Sequence, residues 1–264
     1  MINIVVCVKQ VLDPEAPVSS FKIDPEAKRA IGGNGIPPVL NPFDENALEA
    51  ALQIKDNQEA KITVISMGQR LARPVLRKCL AVGADELILL EDDAFDGFDS
   101  YFTASILATA IKKIEKYDLI LCGREAADSD AGQVGQGIAE ILGIPSITVA
   151  RKVEVSDGKV RVERVVSDDY EVIEAPMPTL VTTSNEIGEL RSANVKALME
   201  AQKKEVTVWN TANLGLNPSL LGKRTSMLKL FIPVREVNCQ LIEGESPEQT
   251  AGNLALKLRE TNLI

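Results

Sequence analysis

Short apolar runs alternate with longer stretches of helical period through the first half of the chain. Ile2–Val8, Lys61–Met67, Glu86–Leu90, Asp118–Cys122 and Ser146–Ala150 read as strands, and residues 44–56, 70–82, 100–116 and 133–143 carry helical spacing. Strands that are apolar on both faces and separated by helices predict a parallel sheet covered on both sides, with right-handed crossovers. The segment from Val11 to Pro42 breaks this rhythm. Its Pro14, Pro17, Pro25, Gly32, Gly33, Gly35, Pro37 and Pro38 predict an extended excursion with room for one small hairpin.

After residue 150 the period shortens to that of exposed strands. Arg151–Val155, Val160–Val166 and Glu171–Ala175 are separated by Asp157-Gly158 and Asp168-Asp169, and Asp-Gly between alternating runs is a hairpin signal. A small antiparallel addition over 151–175 follows, and Thr179–Thr183 can return to the main sheet. Beyond residue 184 the apolar runs are short and scattered. Ala251, Leu254, Ala255 and Leu258 keep helical spacing, which suits either a helix docked on its own core or an arm packed on another subunit. The chain carries no internal repeat and no low-complexity segment.

Composition narrows the chemistry. The 264 residues are 45% apolar and 25% charged, as in ordinary globular chains, and carry a net charge of −9 with no histidine. The acidic balance argues against nucleic acid, which needs basic stripes. Without imidazole there is no Ser-His-Asp triad and no HExxH zinc site. Cys7, Cys79, Cys122 and Cys239 form no CxxC pair, which excludes a zinc ribbon or thioredoxin-type motif. The first three sit in apolar runs and read as reduced packing thiols. No stretch approaches the roughly 20 apolar residues of a membrane span. The opening Met-Ile-Asn-Ile-Val-Val-Cys-Val has no basic region ahead of its apolar run, which predicts a cytoplasmic protein without a signal peptide, its fold starting at residue 1.

In an open parallel sheet, ligands bind beyond the carboxyl ends of the strands. Those ends are Lys9-Gln10, Gly68-Gln69 and Gly123-Arg124-Glu125. The last opens a run dense in glycine and small residues: Gly123, Arg124, Glu125, Ala126, Ala127, Asp128, Ser129, Asp130, Ala131, Gly132, Gln133, Val134, Gly135 and Gln136. A helix starting near Gly132 would aim free backbone N–H groups and its positive dipole end at the crevice, which lets main-chain amides hold a pyrophosphate without a basic patch. A plain glycine turn with Asp130 as helix cap accounts for the same residues. Gly222-Lys223 lacks the earlier glycine of a Walker loop, and Gly33-Asn34-Gly35 lacks its third glycine. Asp128-Ser129-Asp130 begins like a calcium loop, but Ala139 stands where the bidentate glutamate belongs. Asn41-Pro42-Phe43-Asp44 opens a helix with Asp44 as its expected cap. The Asn41 amide is able to pair with a base or ribose, though the spacing alone does not require it.

Several of these pieces together resemble a family. Val5-Val6-Cys7-Val8-Lys9-Gln10-Val11, Asn41-Pro42-Phe43-Asp44-Glu45, Met67-Gly68, Ala81-Val82-Gly83-Ala84-Asp85 and the 123–136 loop are similar to the beta subunit of electron transfer flavoproteins. So is the stretch from Val162 to Val181, where Ser167 departs from the usual acidic residue. The match runs in order from residue 2 to about residue 209. The resemblance implies a Rossmann-like sheet of the adenine-nucleotide alpha-hydrolase type over 1–184, and a partner-recognition loop and C-terminal arm over 185–264. It implies an alpha subunit that carries FAD, on which the arm packs. The beta subunit then holds either a structural AMP or a second FAD. Members with the second FAD oxidise NADH and split its electrons between ferredoxin or flavodoxin and, through the alpha-subunit FAD, an acyl-CoA, enoyl-CoA or 2-hydroxyacid dehydrogenase. Flavin carries that chemistry, in keeping with a chain that has no histidine.

Carried over position by position, Cys7 lies against the adenine. Asn41, Pro42, Phe43 and Asp44 form the nucleotide-contacting helix start, with Phe43 also in reach of the alpha-subunit flavin. Met67 is a contact at a strand end, and residues 123–136 form the phosphate loop. Val195, within the 185–204 recognition loop, is the apolar anchor for the dehydrogenase. A short surface helix that turns Val195, Leu198 and Met199 to its own core is the plainer reading of that segment. AMP-type members have Asn-Gln-Thr where this chain has Gly132-Gln133-Val134. Val134 offers no hydroxyl to a terminal phosphate and Gly132 admits close backbone approach, and both favour FAD. The competing expectations are a simple electron carrier with AMP and a universal-stress-type ATP-binding homodimer.

Overall fold

The computed structural model describes residues 1–33, 36–95, 99–217, 224–233 and 239–264. Gly35 and the Gly222-Lys223 pair therefore lie outside the described residues. Strand β1 is Ile2–Cys7. The excursion that follows holds β2 (Gln10–Val11), the hairpin β3 (Phe21–Asp24) and β4 (Arg29–Gly32), and β5 (Val39–Leu40), which pairs with β2 to close its base. Then come α1 (Pro42–Asn57), β6 (Ala60–Gly68), α2 (Arg73–Val82), β7 (Glu86–Glu91), α3 (Ser100–Ile114), β8 (Leu119–Gly123) and α4 (Val134–Leu142). Strands β9 (Ser146–Ser156), β10 (Lys159–Val165), β11 (Tyr170–Pro176) and β12 (Thr179–Thr183) precede α5 (Val195–Lys203), β13 (Thr207–Trp209) and α6 (Pro247–Glu260).

One nine-stranded sheet runs β11-β10-β9-β12-β8-β1-β6-β7-β13, parallel from β9 to β13 and antiparallel through β10 and β11. Alternation along each strand feeds two cores. Ile4, Val6, Ile62 and Val64 pack under α1 and α2, whereas Val5, Cys7, Ile120 and Cys122 pack under α3 and α4. The expected parallel α/β sheet with helices on both faces is the observed one. The antiparallel addition is continuous with it, because β9 pairs in parallel with β12 and then, past a register shift near Val149 (φ 60°), pairs antiparallel with β10. Asp157 and Gly158, both at positive φ, make the two-residue hairpin turn.

Past residue 184 the sequence pattern missed one strand, and one helix turns its apolar face the other way. Strand β13 is three residues long and extends the sheet beyond β7, too short to give a periodic signal. Helix α5 buries only Ala201, while Val195 and Met199 are 73% and 63% exposed, so the reading that turned them to the chain's own core is not what the structure has. The segment leading to α5 is tied to α1. Asn46 and Gln53 donate to the Gly188 and Ile187 carbonyls, and the Arg191 guanidinium bonds Glu49 at 2.8 Å and Asp56 at 2.8 Å. At the other end of α5, Arg77 donates to the Ala201 and Lys204 carbonyls. The chain divides into compact units Met1–Leu230 and Phe231–Ile264. In the second, α6 is capped by the Ser246 hydroxyl, which accepts from the Gln249 N–H, and no residue of the helix is buried.

Glu49 is the buried member of the Arg191 pair, and a buried carboxylate stripped of its cation is costly. Arg191→Met is expected to lower unfolding stability by about 1–3 kcal/mol, less than a fully buried pair because Arg191 is part-exposed. Glu49→Gln/Arg191→Met should recover part of that loss. Urea midpoints for the three variants check this; an unchanged midpoint in Arg191→Met would refute it.

Candidate functional site

Strands β6 and β7 lie to one side of β1, and β8, β12 and β9 lie to the other, so the winding reverses between β1 and β8. Open α/β sheets bind ligands at such a switch point. A cavity of about 360 Å³ opens there, lined from the strand ends by Cys7–Gln10, Met67–Leu71 and Cys122–Ala126, from α3 by Ser100, Thr103 and Leu107, and by Phe95.

The start of α1 braces the site. Asp44 is buried, and its carboxylate accepts the Lys9 N–H at the end of β1 (2.7 Å) and the Gly123 N–H at the end of β8 (3.1 Å). Residue 123 has to be glycine, since a Cβ there would lie 2.5 Å from Asp44 Oδ1 and 2.6 Å from the Phe43 carbonyl carbon. Asn41 reaches into the glycine loop, donating from Nδ2 to the Glu125 carbonyl (2.8 Å) and accepting the Ala127 N–H on Oδ1 (3.0 Å). The expected Asp44 cap is thus corrected: Asn41 holds the N-cap position without a side-chain cap bond, and Asp44 is spent on the two strands. Burial pushes the Asp44 carboxyl up to about 7, against the Asn41 amide and the Lys9 and Gly123 N–H groups, which favour its charged form.

Two more expectations about the loop change. Helix α4 starts at Val134, close to Gly132 as expected, but Gln133 holds the N-cap with no side-chain cap, so Asp130 (φ 47°) is not its cap. The first-turn N–H groups of α4 stay available at the cavity, beside Gly132 at φ 59°. The site does have basic side chains: Lys9, Arg29, Arg70 and Arg124 line it, gathered from four separate segments of an acidic chain. Lys9 pairs with Asp128 at 2.6 Å, and Arg124 pairs with Glu125 at 2.9 Å and lies 4.6 Å over the Phe43 ring. Among the described residues Arg29 and Arg70 form no ion pair. A helix N-terminus and four cations beside an apolar wall of Val8, Leu71, Phe95 and Leu107 fit an anionic group carrying a planar ring.

Of the residues singled out from sequence, Cys7, Asp44, Met67, Gly123–Ala126, Asp128, Ser129 and Ala131–Gly135 line the cavity. Asn41, Pro42, Phe43, Ala127, Asp130 and Gln136 do not; Asn41 and Phe43 act instead on the loop and on Arg124. Val195 stands apart on α5. Sequence reasoning missed Ser100 and Thr103, whose i, i+3 placement at the start of a helix puts both on one face and was a usable signal. It also missed Arg29, which the excursion hairpin delivers and no spacing foretells. Cys122, read as a packing thiol, lines the cavity beside Cys7.

Residues 33–214 match the electron transfer flavoprotein domain family. The chain is 41% identical, over 99% of its length and all of the relative's, to the caffeyl-CoA reductase-Etf complex subunit CarD of Acetobacterium woodii. It is 44% identical to the electron transfer flavoprotein subunit beta of Thermoanaerobacterium thermosaccharolyticum and 39% identical to that of Clostridium acetobutylicum, each over 99% of this chain and 100% of the relative.

The Asp44 carboxyl binds its proton up to about pH 7 in the folded chain but releases it near 3.8 when free of the fold. Across that window the native state holds the extra proton, so stability falls as pH rises from about 4 to 7, by at most about 4 kcal/mol. Asp44→Asn is expected to remove this slope. Melting temperatures of both proteins between pH 4.5 and 8 check it, and parallel profiles would count against the assignment.

Proposed function

The chain belongs to the electron transfer flavoprotein family, among its beta subunits, and we propose that its cavity holds FAD and receives electrons from NADH. In this reading it works in a heterodimer with an FAD-bearing alpha subunit. It divides electron pairs between ferredoxin or flavodoxin and, through the alpha subunit, a dehydrogenase or reductase acting on acyl-CoA, enoyl-CoA or 2-hydroxyacid substrates. The observation that carries the reading is the glycine loop at the β1/β8 switch point, where an uncapped helix N-terminus and four basic side chains face one cavity. The full-length likeness to a subunit named for a reductase-Etf complex favours it further.

Each group has a role. The α4 N-terminus and Gly132 backbone suit a pyrophosphate, and Val134 at the first helical position offers no hydroxyl to a terminal phosphate, which favours a dinucleotide over AMP. Lys9 and Arg124, already paired with Asp128 and Glu125, are held in place for phosphate oxygens; Arg29 and Arg70 add charge at the same cavity. Leu107, Phe95 and Met67 exclude water from the ring. Asp44 and Asn41 hold the strand ends and the loop at fixed separation. When bound, the flavin supplies the redox chemistry, and the chain supplies binding and orientation.

The 185–264 region serves partners in this reading. Exposed Val195, Leu198 and Met199 on the capped helix α5 form the contact with the dehydrogenase. Met227, Leu228, Phe231, Ile232, Leu241, Leu254 and Leu256, all exposed, suit an arm laid on the alpha subunit.

Acid release from the purified heterodimer is expected to give two FAD and no AMP; one FAD with one AMP would support the simple carrier instead. Val195→Ala is expected to slow electron delivery to the dehydrogenase at least about tenfold at limiting partner, the effect of about 1.4 kcal/mol. NADH bleaching of the heterodimer should stay as in the parent. An unchanged delivery rate would remove Val195 from the contact.

A further inference from the structure

Cys7 ends β1 and Cys122 lies next to the end of β8, and the two are in-register partners on neighbouring parallel strands. In such a pair the Cβ atoms leave the same face, about 4.8 Å apart. Both belong to the core face under α3 and α4, both thiols are free, and both line the cavity at the switch point. Contact with Cys7 first, then burial, pushes the Cys122 thiol well above its ordinary value. Cys79 lies in the opposite core, under α1 and α2, so it cannot join them. Among the described residues no three His, Cys, Asp or Glu side chains gather as a metal site, and a tetrahedral zinc needs four ligands. The spacing also exceeds the roughly 3.8 Å that a disulfide prefers between Cβ atoms. A single atom that binds two sulfurs and brings its own third substituent is what this pair accommodates.

We propose that Cys7 and Cys122 form a vicinal dithiol site, entered through the cavity, that binds trivalent arsenicals and is blocked when a nucleotide occupies the cavity. With phenylarsine oxide the reaction balances as two thiols plus one arsenoxide giving a cyclic dithioarsenite and one water. Two As–S bonds form, the As–O bond breaks, both thiol protons leave with the oxygen, and arsenic stays trivalent, so no oxidant is required. Chelation by two neutral thiols is possible where a single thiol with a raised proton affinity reacts poorly with alkylating agents. The chain therefore has two cysteine behaviours: exposed Cys239 takes iodoacetamide, and the buried pair takes the arsenical.

The test uses the purified heterodimer carrying Cys239→Ser, in nucleotide-free and nucleotide-loaded forms, with phenylarsine oxide as the probe. Intact mass should show one phenylarsenic group on the nucleotide-free chain, with loss of one water. Proteolysis should yield a bridged pair of peptides containing Cys7 and Cys122, and 2,3-dimercaptopropanol should reverse the adduct. Added FAD or AMP should slow the reaction at least tenfold, and Cys7→Ala or Cys122→Ala should weaken binding at least a hundredfold. A bridge to any other cysteine, an adduct that survives either single variant, or no protection by either nucleotide would overturn the proposal. Should a variant fail to fold, the peptide map of the parent chain still decides. The adduct tests the dithiol even if the cavity proves to hold AMP rather than FAD, so its failure and the failure of the FAD reading are separate results.

Discussion

Asp44 takes hydrogen bonds from Lys9 at the end of β1 and Gly123 at the end of β8, the two strands between which the sheet reverses its winding. A crevice at such a reversal has no covalent tie across it, and side-by-side strands alone do not set its width at the mouth. The buried Asp44 carboxyl sets it, and the burial that this requires is what raises its proton affinity. Gly123 is the counterpart of that arrangement, because no side chain can stand where Asp44 and the Phe43 carbonyl already are. Three residues later in the helix start than a capping residue would be, Asp44 does cross-strand work that helix chemistry does not ask of it.

Asn41 extends the same brace to the loop. By using both ends of its amide on the Glu125 carbonyl and the Ala127 N–H, it fixes the first half of the glycine loop. The second half, from Ala131 to Gly135, then lines the cavity, and no side chain caps the start of α4. Lys9 and Arg124 are oriented by ion pairs to Asp128 and Glu125 on that same loop, so the basic groups arrive already positioned. A chain of net charge −9 thus gathers four basic side chains at one cavity, two of them paired with acids of the loop itself. The same geometry brings Cys7 and Cys122 side by side, and places a soft, polarisable surface at the strand ends.

Much of this was legible as pattern. Apolar runs such as Ile4–Val6 and Leu119–Leu121 have no polar alternative, and glycine-rich residues between a strand and a helix announce a close backbone approach. What the pattern could not carry was pairing between distant segments. Asp44 looks like a cap because three to four residues of helix are all that local reasoning sees. Arg29 looks like hairpin decoration because its position at the cavity depends on how β2 and β5 close the excursion. Cys122 looks like packing because its partner is 115 residues away, and β13 is too short for any period to reveal.

The amino-acid sequence by itself determined the parallel α/β sheet, the two-residue Asp157-Gly158 turn and the glycine loop after the fourth predicted strand, because each rests on local periodicity or on a backbone angle that few residues adopt. The tertiary structure alone decided which strand ends face each other, which cations meet at one cavity, that α5 turns Val195 outward, and that two thiols become neighbours. These are relations across the sheet, set by strand order and register, and no local stretch of residues encodes them.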